Sequence, residues 1–303
     1  MSTSLAVKYR PRMLKDFVGN EKTVQSLRSL MEREEMPHTL LFTGPSGCGK
    51  TTLARIVAAR LKVGQFDFVE NNAADFRGID SVRDILRQMT LSPMSGPCRV
   101  WLLDECHQLS KDAQHALLKA LEDTPAHVWF ILATTDPEKL LPTIKTRCVT
   151  FDVKPLDDKT MGRLLINVGT AEGVALSQEV IDQIIQDSLG SARMALTILD
   201  KIINMDPADM LEAAKQQAAN QNETIELCRA LMAKRPWRDV ARIIKGIDQE
   251  PEQVRRAVLG YASAILLSKD NGQAYLLLDA FQKNFFDTGK AGLVMAAYQT
   301  ING

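Results

Sequence analysis

A glycine-rich segment between a predicted strand and a predicted helix has the residue types that bind phosphate groups. Residues 44–51 fit the pattern Gly-x-x-x-x-Gly-Lys-Ser/Thr, with an apolar run at 40–43 before them and a helical pattern at 52–61 after them. Glycines let successive backbone N–H groups surround phosphate oxygens, and the amino end of the following helix attracts the same anion. A chance glycine-rich turn is disfavoured because this strand and this helix flank it.

This pattern predicts a site for ATP and Mg²⁺. Lys50 is expected to bridge the β- and γ-phosphates, and the hydroxyl of Thr51 is expected to bind the metal. The residues of this segment that are predicted to bind ATP are Gly44, Pro45, Ser46, Gly47, Cys48, Gly49, Lys50, Thr51 and Thr52.

Two acids close another predicted strand. Asp104 and Glu105 follow the apolar residues 100–103 directly, and ligands of open α/β sheets gather at the carboxyl ends of strands. Asp104 is placed to hold Mg²⁺, directly or through water, and Glu105 to orient and deprotonate an attacking water. An acidic pair at a strand end is also common as a solvated turn, but the upstream loop favours the catalytic interpretation. His107 has no partner at ligand spacing and is predicted to be a structural residue outside the site.

Three more residues are candidates for contact with the terminal phosphate. Thr135 follows the predicted strand 128–132, where its hydroxyl would reach the γ-phosphate or the attacking water, or would cap a turn. Arg147 would either face solvent or project toward the γ-phosphate of a neighbouring subunit. Arg193 lies in the first turn of a predicted helix, where the helix dipole disfavours cations, and this favours a role in phosphate contact.

The segment before the glycine-rich loop contains apolar residues that suit a nucleotide base. Val7, Tyr9 and Val18 would cover the base if this segment folds back over the loop. A simple N-terminal staple accounts for the same residues equally well.

The composition is that of an ordinary globular protein. The 303 residues are 45% hydrophobic and 24% charged, with a formal net charge of zero, so any nucleic-acid contact requires a local basic surface. No uninterrupted apolar run approaches the roughly 20 residues that a membrane span requires, and we expect a cytoplasmic location, or the host cytoplasm if the protein is viral. None of the five cysteines forms a Cys-x-x-Cys pair, so a zinc module is not expected.

Strands and helices alternate in the first half of the sequence and give way to helices in the second. This order predicts an α/β core with a parallel sheet and helices on both faces over residues 1–154. The helical patterns after Pro155 predict an all-α lid at 155–205 and an all-α collar domain at 206–303.

Taken together, these segments resemble the ATPase subunits of sliding-clamp loaders in the AAA+ superfamily. Thr146-Arg147-Cys148 is similar to the serine-arginine-cysteine finger motif of that family, with threonine in place of serine. The resemblance spans roughly residues 5–203 and rests on Lys8-Tyr9-Arg10-Pro11, Gly44 to Thr51, Leu103-Asp104-Glu105, Ala116 to Glu122, Ala133 to Pro137, Thr146-Arg147-Cys148 and Gly190 to Arg193.

This resemblance implies roles for several residues. It implies that Thr135 is a first sensor of the γ-phosphate, Arg147 a finger that acts in trans and Arg193 a second sensor. The four-cysteine insertion of bacterial gamma/tau subunits is absent after the predicted helix 52–61. The chain therefore looks more like the small subunits of replication factor C or a phage clamp-loader large subunit.

The implied function is ATP-driven loading of a polymerase clamp. ATP binding would open the clamp and hold it on primer-template DNA, and hydrolysis would release it. The implied partners are the sliding clamp, that DNA, other copies of the chain and a distinct companion subunit, held together by the collar. The alternatives are another AAA+ motor on DNA, for branch migration or helicase loading, and a non-hydrolysing structural subunit.

Surface contacts of such a loader are assigned by analogy. Met89 and Leu91 are nominated for the clamp, although both would equally well cover the sheet edge. Candidates for contact with DNA phosphates are the basic residues Arg77, Arg83 and Lys111, each of which would otherwise be an ordinary solvated charge.

Overall fold

The computed structural model describes residues 3–33, 36–74, 78–207, 209–214, 223–268 and 270–302. The chain divides into two compact units. Unit 1 contains residues 1–164 together with 190–193, and unit 2 contains residues 165–189 together with 194–303. The predicted boundaries between core, lid and collar stay a prediction.

Unit 1 is built on a five-stranded parallel sheet. Its strand order is β2-β3-β4-β1-β5, so the strand before the glycine-rich loop, β1, is an interior strand between β4 and β5. The predicted α/β class with a parallel sheet is confirmed. The strands are β1 (Thr39–Thr43), β2 (Phe68–Asn72), β3 (Arg99–Asp104), β4 (Val128–Thr134) and β5 (Val149–Asp152).

Helices cover both faces of this sheet. The helices of the first 150 residues are α1 (Leu5–Lys8), α2 (Glu21–Glu32), α3 (Lys50–Arg60), α4 (Ile79–Gln88), α5 (Lys111–Glu122) and α6 (Pro142–Arg147). Alternate strand residues belong to different cores: Leu41 packs with residues of α4, α5 and α6, while Leu40 and Phe42 pack with residues of α2 and α3. Burial on both faces explains why the strands are almost continuously apolar.

The register of the strands brings the candidate residues to one edge. Thr43 of β1 pairs with Thr134 of β4, and Leu103 of β3 pairs with Leu132 of β4. Because the strands are parallel, the glycine-rich loop after β1, the acids at the end of β3 and the threonines at the end of β4 all leave the sheet on its carboxyl side.

The regular secondary structure that is described in unit 2 is helical, in agreement with the predicted helical C-terminal region. Its largest core includes Leu231, Val258, Leu277, Phe281 and Leu293. No helix in the described part of the chain is long and apolar enough to cross a membrane. The later helices are α7 (Asp158–Ala171), α8 (Gln178–Ser188), α9 (Ala192–Ile202), α10 (Glu223–Met232), α11 (Trp237–Gly246), α12 (Pro251–Ser268), α13 (Gly272–Ala280) and α14 (Gly289–Asn302).

Candidate nucleotide site

The glycine-rich loop has a backbone that only glycine adopts easily. Gly44 and Gly49 have φ angles of 138° and 104°, in the region that side chains disfavour. A Cβ on Gly44 would lie 2.0 Å from the carbonyl oxygen of Val153, and one on Gly49 would lie 2.8 Å from the ring of Phe17. Helix α3 begins immediately after Gly49, so its amino end closes the loop. The loop therefore forms a backbone cradle of the kind that binds anions at a helix amino end.

Lys50 lies inside this cradle. Its side chain is buried, and its Nζ donates hydrogen bonds to the carbonyl oxygens of Gly44 at 2.8 Å and Pro45 at 2.9 Å. Burial lowers the pKa of Lys50, and the negative charges of Glu105 and Asp104 act in the opposite direction. The ammonium group is thus placed between the loop backbone and the two acids.

Thr51 and Asp104 form a set of hard oxygen ligands. The Thr51 hydroxyl donates to Oδ2 of Asp104 at 2.7 Å, and Oδ1 of Asp104 accepts from the backbone N–H of Glu105 at 3.0 Å. Magnesium is usually held by one or two carboxylates together with phosphate and water oxygens, so this pair fits the ion. No cluster of three or more His, Cys, Asp or Glu side chains able to hold a metal occurs among the described residues.

Glu105 is held by the threonine that follows β4. Its Oε2 accepts hydrogen bonds from the backbone N–H of Thr135 at 3.1 Å and from the Thr135 hydroxyl at 2.8 Å. The backbone of Glu105 is left-handed, with φ of 50°, which is uncommon for a residue with a side chain and is typical of functional sites. The predicted phosphate contact of Thr135 stays a prediction, but the structure brings its hydroxyl to the predicted base.

Arg193 joins the same pocket from the start of α9. The residues that line it are Ser46, Gly47, Gly49, Lys50, Thr51, Thr52, Asp104, Glu105 and Arg193. The backbone N–H of Arg193, which belongs to unit 1, donates to the Gly47 carbonyl at 3.4 Å.

Two further residues near the site were missed from the sequence. His107, predicted to lie outside it, has its Nδ1 3.4 Å from Oε2 of Glu105. Arg10 has a lowered pKa, caused first by burial and then by the positive charges of Arg55 and Arg193, and Arg193 is one of the residues that line the pocket. Spacing was the available signal for His107, because it follows Glu105 by two residues. Arg10 belongs to the segment that carries the family resemblance.

The predicted base contacts of Val7, Tyr9 and Val18 stay predictions. Val7 is exposed and Val18 is half-buried. The Phe17 ring, which lies against Gly49, places the segment containing Val18 beside the loop.

Arg147 lies apart from this pocket, at the carboxyl end of α6. Its guanidinium forms an ion pair with Glu122 and donates to the Thr143 carbonyl at 3.0 Å, and its own carbonyl accepts from the Thr39 hydroxyl at 2.5 Å. The side chain is 33% exposed. Arg147 therefore lies partly exposed at the surface of unit 1, and its predicted action on a neighbouring subunit stays a prediction.

The Met89 part of the proposed clamp surface is corrected by the structure. Met89 is buried with Val82 and Trp101, because it continues the apolar face of α4 onto the sheet. Leu91 is 59% exposed, and two further apolar residues, Met94 and Phe66, are 78% and 71% exposed.

The structure describes two of the three basic residues that are predicted to contact DNA. Arg77 lies outside the described residues. Arg83 forms an exposed ion pair with Asp80 at 2.8 Å, and Lys111 is exposed at the amino end of α5. Their contact with DNA stays a prediction.

Comparison with protein families gives two matches. Residues 62–157 match the family model for the DNA polymerase III delta subunit, and residues 4–92 match the model for the Rad17 P-loop domain.

Curated relatives agree with these matches. DNA polymerase III subunit gamma/tau of Mycobacterium tuberculosis is 34% identical over 219 residues, which cover 65% of this chain and 38% of that protein. Subunit tau of Escherichia coli is 34% identical over 220 residues, or 66% of this chain and 34% of that protein. The replication factor C small subunit of Archaeoglobus fulgidus is 36% identical over 197 residues, which cover 63% of this chain and 61% of that protein. The chain thus spans less than two thirds of the length of these relatives.

Solved structures share the fold. RuvB of Thermotoga maritima, described as a Holliday junction branch migration motor, superposes with a TM-score of 0.61 at 19% identity over 82% of this chain and 85% of that one. The fold is that of AAA+ P-loop proteins, and in sequence the chain is similar to the gamma/tau and replication factor C subunits described above. The relatives include gamma/tau subunits and a replication factor C small subunit, and the resemblance to clamp-loader ATPases is confirmed.

Proposed function

We propose that this chain is an ATPase subunit of a sliding-clamp loader. ATP binding would let an assembly of subunits open a clamp and hold it on primer-template DNA, and hydrolysis would release it. The observation that carries the proposal is the convergence of Lys50, Thr51, Asp104 and Glu105 at one sheet edge, while Arg147 lies at the surface elsewhere on the same unit. A structural subunit that binds no ATP would not require all five of these residues. The likeness to RuvB concerns the fold alone and does not favour a branch-migration motor.

The chain's own groups divide the hydrolysis step between them. The loop N–H groups, Lys50 and Arg193 would bind the phosphates of ATP, and Thr51 and Asp104 would hold Mg²⁺. When bound, Mg²⁺ would neutralise part of the negative charge of the phosphates. Glu105 orients the attacking water and accepts its proton.

Arg147 completes the site of a neighbouring subunit. A guanidinium stabilises the charge that develops on the γ-phosphoryl group, and fingers of this kind increase kcat by about 10³–10⁵. Since Arg147 lies at the surface and outside its own pocket, the isolated chain should hydrolyse ATP slowly.

Two surfaces suit the assembly that this function requires. Leu91, Met94 and Phe66 are apolar and exposed at the amino ends of β2 and β3, which is the opposite sheet edge from the ATP pocket. We assign this surface to the clamp. In unit 2, Met295 and Tyr298 of α14 are exposed apolar residues, and we assign this helix to contact with other subunits, including further copies and a companion subunit.

Recovery of partners tests this function. The tagged full chain, incubated with an extract of its source cells, a non-hydrolysable ATP analogue and primer-template DNA, should recover a ring-shaped clamp. The clamp should be lost when ADP replaces the analogue. Lys50→Ala, which removes the phosphate-binding ammonium, is the matched control and should recover none. Recovery of no clamp by a chain that binds the analogue normally would contradict the proposal.

A further inference from the structure

His107 occupies a short 3-10 turn, Cys106–Gln108, directly after Glu105. Its side chain is only 7% exposed. Its Nδ1 lies 2.9 Å from the hydroxyl oxygen of Thr134 and 3.4 Å from Oε2 of Glu105. The imidazole is therefore held between the end of β4 and the carboxylate that we assign as the base.

The contacts of Glu105 are uneven between its two carboxylate oxygens. Within the described part of the chain, the N–H and hydroxyl of Thr135 and the ring of His107 all approach Oε2. The carboxylate also lines the ATP pocket. When Oε2 is held by the protein, Oε1 is the oxygen left to accept a proton from water.

The position of the ring proton follows from these neighbours. The Thr134 hydroxyl oxygen already accepts the backbone N–H of Asp136 at 3.0 Å, and it has a second lone pair for another donor. An unprotonated Nδ1 would direct its lone pair at the carboxylate, which is repulsive. We therefore assign the proton to Nδ1, where it is shared between Thr134 and Glu105.

We propose that His107 is a positioning residue for Glu105. Together with Thr135, its Nδ1–H holds Oε2 and thereby directs Oε1 at the attacking water. The backbone of Glu105 is left-handed, which is an uncommon conformation that is typical of functional sites. A side chain on such a backbone keeps one orientation only when neighbouring groups hold it, and His107 is one of these groups. The inference rests on the proposed ATPase function.

Kinetics of three variants test the proposal. His107→Leu removes the donor, His107→Gln retains one, and His115→Gln alters an exposed histidine of α5 as a control. His107→Leu should lower kcat for ATP hydrolysis about tenfold, a factor that corresponds to about 1.4 kcal/mol, with the Kd of a fluorescent ATP analogue unchanged. His107→Gln should recover most of kcat, and His115→Gln should match the wild type. A His107→Leu variant with normal kcat, or one that loses affinity and kcat together, would overturn the proposal.

A second readout does not depend on hydrolysis. Long-range ¹H–¹⁵N spectra of the histidine-labelled full chain distinguish the two ring tautomers, and the His107→Gln spectrum identifies the signal among the four histidines. We expect the Nδ1–H tautomer in the wild type and a smaller fraction of it in Glu105→Ala. An Nε2–H tautomer in the wild type would overturn the proposal even if hydrolysis is normal. Absence of hydrolysis with the Nδ1–H tautomer present would instead contradict the proposed function while supporting the contact.

Discussion

At the scale of single residues, the groups proposed to bind phosphate and the group proposed to act as the base lie on different elements. Lys50 and Thr51 lie in the loop and its helix, while Asp104 and Glu105 are consecutive at the end of β3. Asp104 is directed to Thr51 and Glu105 is directed to Thr135, so two adjacent carboxylates face different partners. Loss of Asp104 and loss of Glu105 should consequently affect different steps.

Glu105→Gln should abolish hydrolysis without abolishing ATP binding. The amide keeps the shape of the side chain but cannot accept a proton from water, so we expect kcat to fall by at least about 100-fold. Single-turnover hydrolysis and binding of a fluorescent ATP analogue measure the two effects separately. As the matched control, Asp123→Asn removes an exposed carboxylate after α5 and should leave both values unchanged. A Glu105→Gln chain that turns over at the normal rate would exclude Glu105 as the base.

At the scale of elements, a buried ion pair supports the loop between α4 and β3. Asp67 is fully buried and accepts hydrogen bonds from the N–H groups of Met94 at 2.8 Å and Ser95 at 2.6 Å, and from Arg99 at 3.2 Å. Arg99 also donates to the carbonyl of Gln88, the last residue of α4, at 2.6 Å. The loop that exposes Leu91 and Met94 is therefore fixed to the sheet at both ends.

Removal of the Asp67 carboxylate should release this loop. Asp67→Asn keeps the size of the side chain but loses the charge opposite Arg99, and breaking a partner of a buried pair costs roughly 3–5 kcal/mol. We expect faster amide exchange at residues 94 and 95 and a lower free energy of unfolding. Asp84→Asn breaks an exposed pair with Arg87 on α4 and should change stability by less than about 1 kcal/mol. Equal effects of the two substitutions would contradict this account of the loop.

The pH dependence of this pair has a definite sign. Burial acts to raise the pKa of Asp67, but hydrogen bonds from Met94, Ser95 and Arg99 outweigh it and lower the pKa to about 2 from 3.8. A lowered carboxyl pKa stabilises the fold fully above the unfolded value, and this contribution is lost as the pH falls toward the folded value. The difference in unfolding free energy between wild type and Asp67→Asn should thus be constant above about pH 5 and should shrink between pH 4 and 2.

The sequence predicted those parts of the site that depend on a single element and its neighbours along the chain. The glycine-rich loop and the acids after β3 were found because their patterns are local: a strand, a turn and a helix within about 20 residues. The contact of Thr135 with Glu105 joins residues 30 positions apart and depends on the register of β3 and β4. Sequence periodicity does not give that register. Met89 was misassigned for a related reason, since its burial depends on where α4 packs on the sheet.

At the scale of the whole molecule, we propose that the ATP site is completed by a neighbouring subunit. Arg147 is paired with Glu122 of its own chain at the surface of unit 1, and both side chains are partly exposed. Exposed ion pairs contribute only about 0–1 kcal/mol, so this pair is easily exchanged for a phosphate of a neighbouring subunit. If Arg147 contacts the γ-phosphate bound by the neighbouring subunit, rapid hydrolysis requires the assembled subunits.

Mixing two inactive variants tests this claim most directly. Glu105→Gln lacks the base and Arg147→Ala lacks the finger, so each alone should hydrolyse ATP very slowly in the assembled state. Random mixing of equal amounts places an intact Glu105 opposite an intact Arg147 at about one quarter of the interfaces. We predict that the ATPase rate of the mixture recovers to roughly that fraction of the wild-type rate. A mixture no more active than the mean of the two separate variants would contradict a site completed by a neighbouring subunit.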